Sequence, residues 1–512
     1  MKRKFCLLLS ILFILAQVAC VSNEDQTPIQ GTSTESVSGQ VLLNWNLGLF
    51  NQEVSQGELV EILEDGLNEI LTEKGKTYRV KLHYPKLYER EVLDGVKLEQ
   101  IDLVREVRES AGQFDLVTMV DTQQEANQIE RPYFELAKEG YLYEIERERL
   151  ATTQISDQDW ELAQIDSKVY GIGFQMPQLI GMKYSVDGLE KSGIDSERLS
   201  ASIFENIEIY EEYRRKTGSI PIQWFGFQLF NYINNPLFLP CNNLCWEEGR
   251  GFTSIADLEG MSTLFQNALE LQRRGLVQSV NVETGLGADF LVTTIGSPIF
   301  NELPYEDNEE IWIDKALEDR KLLYIPNPSL AVYDPANGDL RTAILRDSSH
   351  PEEALDLLRL LTEDPDMANL MRYGTVEVID QGKAGRMLSS TAFMELQYYG
   401  PRIANGALSD STEVETADKA AFKQKYERTL PQDYPRGFRF DPVPVLEQIS
   451  RTNEVIGPMA TSEISEEIRM LAFSDAQEVL ERLQRELEDA GMDEIIQEAN
   501  HQLEEWRKGS PN

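Results

Sequence analysis

Val41 to Trp45 form an apolar run that reads as a strand, and Ser55 with Glu58 has the spacing of a helix-capping pair. Val60, Leu63, Leu67, Ile70 and Leu71 then recur at helical intervals until Gly75. Tyr78, Val80, Leu82 and Tyr84 alternate with Arg79, Lys81 and His83, the period of a half-buried strand. A helix around 100–110, an apolar strand at Phe114–Val120 and a helix around 131–139 complete a β-α-β-α-β succession, which predicts a parallel sheet flanked by helices. Farther on, Val169–Met182 and Leu322–Val332 carry Gly and Pro in extended patterns and read as crossing segments. The stretch from Ser185 to Leu276 reads as mostly helical, broken by a Pro- and aromatic-rich loop at Ile220–Pro240. Arg341–Leu345 reads as a strand, followed by a helix opened by Ser349 and Pro351 with Ala354, Leu355, Leu358 and Leu361 on one face. The last sixty residues are helical in pattern, with a break at Gly491.

Composition narrows the class. The chain has 512 residues, 41% hydrophobic and 27% charged, enough for more than one body with a core. Against 48 Lys and Arg stand 88 Asp and Glu, a net charge of −40. Such a surface repels phosphate backbones, which excludes nucleic acid as a partner, and it is no match for anionic lipid headgroups. Lys2, Arg3 and Lys4 precede a short apolar stretch, Phe5–Ala16, and the sequence Val18-Ala19-Cys20 follows. This is a secretion signal, 1–20, too short for a spanning helix. Its ending resembles a bacterial lipobox with Gln17 where Leu or Val is usual, so Cys20 is expected to carry lipid and anchor the protein outside the membrane. Loss of the three cations would take the net charge to −43. Residues 21–37 are polar and read as a flexible tether.

Chemistry for catalysis is sparse. His83, His350 and His501 are scattered, and no nucleophile-elbow, zinc-protease or phosphate-loop motif occurs. Nothing in the chain asks for a cofactor or a metal. Asp334, Asn337 and Asp339 lack calcium-loop spacing and read as a turn. Cys241 and Cys245, with no His nearby, read as a small loop disulfide in an oxidising compartment.

Several stretches together resemble the extracellular solute-binding proteins of family 1, in the carbohydrate-binding lipoprotein branch with a C-terminal helical module. They are Leu67-Asn68-Glu69-Ile70-Leu71, Phe114-Asp115-Leu116-Val117, Ser167–Ile172, Ser349–Ala354 with Tyr373-Gly374, and Gly437-Phe438-Arg439-Phe440-Asp441-Pro442 leading to the tail that ends at Trp506. Two departures stand out. Gly173 occupies the place of a usual Pro, and Thr375–Asp380 replaces the family's Ile-Glu-Gly continuation. The resemblance implies an α/β, two-lobed periplasmic-binding-protein-like fold with hinge segments and a helical C-terminal extension. Its lobes would be discontinuous: 38–172 plus 335–372, and 173–334 plus 373–512. It implies a monomeric, non-enzymatic binding protein of an ABC transporter that hands a carbohydrate to a membrane permease. A surface-anchored polysaccharide-degrading enzyme, or the same fold with a peptide, polyamine or other metabolite, are the rival readings.

Sugar sites need flat aromatics for ring faces and amide, carboxylate or guanidinium groups for hydroxyls, placed beyond the carboxyl ends of strands. On that rule the candidate ligand residues are Trp45, Asp121, Gln175, Trp224, Trp246, Tyr373, Tyr398, Tyr399 and Arg402. Trp45 reads equally as core, Asp121 as a helix cap, and Trp246 as packing on the cysteine loop. Trp160, Trp312 and Trp506 read as structural.

Overall fold

The computed structural model of the protein describes residues 40–48, 58–93, 96–110, 112–124, 128–150, 155–174, 181–224, 229–230, 237–239, 243–279, 291–293, 302–305, 308–314, 320–327, 332–333, 340–374, 396, 399–409, 431–457 and 460–509. The first 39 residues, with the expected signal, Cys20 and tether, lie outside them.

In chain order, β1 (Val41–Leu47), α1 (Glu58–Glu73), β2 (Tyr78–His83), α2 (Leu103–Glu109), β3 (Leu116–Val120) and α3 (Pro132–Lys138) follow the expected succession closely. Alternation on β1 sends Leu43, Trp45 and Leu47 into the core with Leu59, Leu63 and Leu67 of α1. Polar groups then lock the register. Asn68 on α1 donates to the carbonyl of Val80 and accepts from its amide, both at 2.9 Å, and Glu64 accepts from Leu82 N at 2.9 Å. The outer edge of β2 is thereby hydrogen-bonded by side chains of a helix rather than left open to another strand. Asp115, just before β3, accepts from Asn44 N at 2.9 Å and from the Ser348 hydroxyl at 2.6 Å. That explains the Phe114-Asp115 pattern: the carboxylate joins three distant segments.

The chain next forms β4 (Gly171–Ile172) and enters a second body through β5 (Gly181–Ser185). There follow β6 (Ile222–Trp224), β7 (Leu237–Phe238), β8 (Leu244–Glu247), β9 (Gly251–Ser254), α4 (Met261–Arg273), β10 (Val277–Ser279), β11 (Val292–Thr293), β12 (Glu302–Tyr305), β13 (Asn308–Asp314), β14 (Arg320–Pro326) and β15 (Val332–Tyr333). It returns as β16 (Leu340–Ile344), α5 (Pro351–Glu363) and α6 (Pro365–Tyr373), and ends in α7 (Leu446–Val455), α8 (Ala476–Asp489) and α9 (Met492–Gly509).

The first sheet has the order β4-β16-β3-β1-β2. β1 is parallel to β2 and β3, whereas β16 runs antiparallel to both β3 and β4, so the sheet is mixed rather than wholly parallel. Gly173 sits where the crossing backbone meets β16. A Cβ there would lie 1.8 Å from the carbonyl oxygen of Leu340, so only glycine permits the approach. Leu396, Ile403 and Ala404 also belong to the first core. Phe174 N bonds to Arg402 O at 3.1 Å, so the stretch around 396–409 packs with the first lobe although its place in the sequence suggested the second.

The helical reading of 185–276 holds for Val186–Ser192, Ile207–Thr217 and Met261–Arg273, and what it lacks is the short strands between them. A seven-stranded sheet, β10-β6-β11-β5-β14-β13-β12, and a four-stranded one, β9-β8-β7-β15, share a core with the tail. Most of these strands are two to five residues long and take partners far away in sequence, so no local alternation marks them. α8 and α9 bury Leu480, Leu483, Leu487, Ile495, Ala499 and Leu503 in this core, and the Phe473 ring lies tilted against Phe265 of α4 at 5.5 Å. The tail therefore packs on its own chain, a choice that an apolar stripe alone leaves open. No described helix is long and apolar enough to cross a membrane.

Asn68→Ala removes both side-chain bonds to Val80 and leaves a buried amide and carbonyl unpaired. The expected cost is about 2–4 kcal/mol, read as a lower urea midpoint with an unchanged slope.

Candidate functional site

The carboxyl ends of β1 and β3 are where an open α/β sheet receives a ligand. Trp45 does not face that region. It is fully buried between β1 and α1, and its indole N–H donates to the Thr118 hydroxyl at 2.8 Å. The expectation of a stacking platform is corrected to a core residue. Asp121, at the end of β3, is likewise enclosed. Its carboxylate accepts from Tyr133 N at 2.8 Å in the first turn of α3 and pairs with Arg439 at 3.0 Å. It caps a helix and holds a cation, which leaves no free oxygen aimed at a cleft.

Trp246 is also a core residue. Its ring meets Phe252 and Tyr434 edge-on at 5.1 and 5.7 Å, and its N–H donates to Asp433 at 3.1 Å. Next to it in β8, Cys245 is a free, buried thiol rather than half of the expected disulfide, and burial pushes its pKa well above the ordinary thiol value. Cys241 lies outside the described residues.

Tyr373 ends α6 buried, with the Arg372 guanidinium 4.9 Å from its ring centroid. Tyr399 is half-buried against the first core, close to the return segment that holds Phe174. Arg402 is half-buried, and its backbone carbonyl takes the Phe174 amide. Trp224 closes β6 opposite Ser279 in register, with its side chain outside the description. Gln175 and Tyr398 lie outside the described residues. Of the nine candidates, Gln175, Trp224, Tyr398, Tyr399 and Arg402 remain expectations.

One polar residue escaped the sequence reading. Asn46 lies near the carboxyl end of β1, in register with His83 and Val117, fully buried, and neither of its amide atoms has a hydrogen-bond partner among the described residues. The signal was present: Asn44 and Asn46 alternate with Leu43, Trp45 and Leu47, so the face opposite the core is polar. On that face His83 Nε2 donates to Asn44 Oδ1 at 3.0 Å, and the ring meets Phe114 edge-on at 5.4 Å. Burial, helped by the Lys81 charge and opposed by Glu64, holds the His83 pKa below its usual value.

A separate groove of about 820 Å³ lies between α3 and the tail, walled by Arg131, Phe134, Lys138, Val443, Leu446 and Trp506. Buried carboxylates elsewhere are committed to structure. Glu106 accepts from Lys86 N, Asp159 from the Ser156 hydroxyl, and Glu247 from Arg250 and Glu259 N. Among the described residues no cluster of three or more His, Cys, Asp or Glu is placed to hold a metal ion.

Comparison with solved structures gives the architecture its relatives. The chain is similar to the N-glycan transport solute binding protein NgtS from Streptococcus pneumoniae, with a TM-score of 0.63 and 12% identity over 92% of this chain and 99% of that one. The fold is that of a two-lobed solute-binding protein. The NgtS complexes with Man5GlcNAc and Man1GlcNAc match at TM-scores of 0.51 and 0.52, again at 12% identity, covering 92% of this chain and all of that one. A family model described as a domain of unknown function, DUF3502, matches residues 436–508, the segment that holds α7, α8 and α9. No curated protein matches the chain in sequence.

Because the His83 pKa is lowered in the folded state, the unfolded chain takes up a proton first on acidification. This contribution to stability is complete above the unfolded value, about 6.5, and is lost as pH falls toward the lower folded value. Urea midpoints taken at about pH 7.5 and about pH 5 are expected to fall less in His83→Gln than in the wild type.

Proposed function

We propose that the protein is the extracytoplasmic substrate-binding lipoprotein of an ABC importer, which captures a sugar or oligosaccharide between its lobes and delivers it to a membrane permease on closure. The observation that carries this reading is the shared fold, which spans 92% of this chain and 99% of a protein named for N-glycan transport. The Val18-Ala19-Cys20 ending supports lipid attachment, and the strongly acidic mature chain suits a tethered body outside the cytoplasm. The role is binding without catalysis: the chain is poor in histidine, and the described buried carboxylates serve structural bonds.

In this reading Gln175, Trp224, Tyr398, Tyr399 and Arg402 supply stacking faces and hydroxyl partners in the cleft. Asn46 joins them. An amide buried with both atoms unpaired carries a desolvation penalty that a ligand hydroxyl would relieve, since the group offers a donor and an acceptor at once. Closure follows because a ligand touching both lobes binds their closed arrangement more tightly than the open one. The higher TM-score against NgtS named without an oligosaccharide than against either complex supports a lobe arrangement nearer the former.

Thermal-shift measurements with Man5GlcNAc, Man1GlcNAc, a peptide mixture and polyamines test the substrate class. A true ligand at about 100 times its Kd is expected to stabilise the protein by about 2.7 kcal/mol. A shift with peptide or amine alone, and with no carbohydrate, overturns the sugar reading. Asn46→Leu is expected to leave the ligand-free melting temperature unchanged or raised, because it removes the unpaired amide, while weakening the oligosaccharide found in that screen by about tenfold or more. Wild-type affinity in this variant removes Asn46 from the site.

A further inference from the structure

The segment matched by DUF3502 begins at Arg436, and its first residues do more than extend the second lobe. Phe438, Phe440, Val445 and Ile449 are part of the second core, together with Leu244, Trp246 and Phe265. The side chain between the two phenylalanines points the other way, into the first lobe. Arg439 Nη1 bonds Asp121 at 3.0 Å, with side-chain exposures of 3% and 1%, and Nη2 donates to Leu162 O at 2.7 Å. The guanidinium carbon lies 5.2 Å from the ring centroid of Tyr133, whose amide donates to the other oxygen of Asp121.

The contact is reciprocal. Arg131, at the start of α3 in the first lobe, donates through Nη1 to the carbonyl of Phe440 in the tail. At the rim, Arg436 pairs with Glu161 at 3.1 Å. A first-lobe cation therefore holds tail backbone while a tail cation holds a first-lobe carboxylate, and the inner pair is out of water.

We propose that the C-terminal module adds a noncovalent connection to the passages of the chain between the lobes and sets the pivot of their motion. Fused to the core of the second lobe and bolted to α3 of the first, it lets the lobes rotate about the Asp121–Arg439 contact and resists their separation there. Pulling that contact apart breaks the bonds of Arg439 to Asp121 and Leu162 and of Arg131 to Phe440 at once, whereas a rotation that keeps it in place breaks none. Asp121 and Arg439 are positioning residues: they direct the motion without touching ligand. This gives the matched module a mechanical role distinct from ligand capture, and the role holds whichever ligand the cleft takes.

The test is the inter-lobe distance in ligand-free full-length protein. It is measured by pulsed electron resonance between nitroxides carried on noncanonical residues at exposed Glu61 in α1 and exposed Glu190 in the second lobe. The wild type is expected to give one narrow distribution, and Arg439→Met a distribution roughly doubled in width, with near-ultraviolet circular dichroism unchanged. Width unaltered in a folded Arg439→Met overturns the proposal. Should that variant not fold, Asp121→Asn, which keeps the shape and removes the charge, is read by the same two outcomes. No ligand enters the measurement, so its result is independent of whether the protein binds a sugar.

Discussion

The first lobe depends on a chain of three side chains drawn from regions far apart in sequence. The indole N–H of Trp45 donates to the Thr118 hydroxyl at 2.8 Å, and Thr118 bonds Thr342 at 2.8 Å, 224 positions later. These bonds stand beside β16, the strand that must leave the second body and insert antiparallel between β3 and β4. Apolar burial alone would hold such a strand in several registers, because all five of its residues are buried. A buried hydroxyl pair has a far narrower optimum, since a one-residue slip turns Thr342 to the other face and strands Thr118. Once β16 is seated, the two crossings, the discontinuous lobes and the position of α5 and α6 follow from chain connectivity.

How much of this was readable in advance varies with where the partner lies. The elements β1, α1, β2 and β3 declare themselves because their apolar period and their contacts are both local. Asn68 and Val80 are only 12 residues apart. The second sheet does not declare itself, because Gly181 pairs with Pro326 and Ile222 with Val277, each through a short strand with little alternation to show. The aromatic candidates failed for a different reason. Residue type names what a side chain can do, and only its face decides whether it meets solvent. For Trp45 the face was in fact legible, since Leu43 and Leu47 share it and Asn44 and Asn46 take the other. For Trp246 it was not, because Tyr434 and Asp433, which enclose it, are almost two hundred residues away.

The same limit hid the Asp121–Arg439 pair, whose partners are separated by 318 residues. A buried ion pair is weak evidence for stability. Its desolvation can match its Coulombic gain, and well-packed apolar replacements are often neutral or stabilising by about 1–4 kcal/mol. What it supplies is an asymmetry: each partner is costly anywhere except against the other, which selects one placement of the module on α3.

Charge composition sharpens that selection. With 88 acidic and 48 basic side chains, two surface patches brought together at random would usually set carboxylate against carboxylate. Several cations instead join separate segments. Lys74 and Lys76 join the end of α1 to Asp364 and Asp356, Arg149 meets Glu352, Arg274 meets Glu211, and Arg482 meets Glu467. The contact between the tail and the first lobe extends the pattern, with Arg436 and Arg439 facing Glu161 and Asp121. Most of these exposed pairs contribute little stability one by one. Their value lies in exclusion, because an alternative seating that sets carboxylate against carboxylate meets repulsion that the native one avoids.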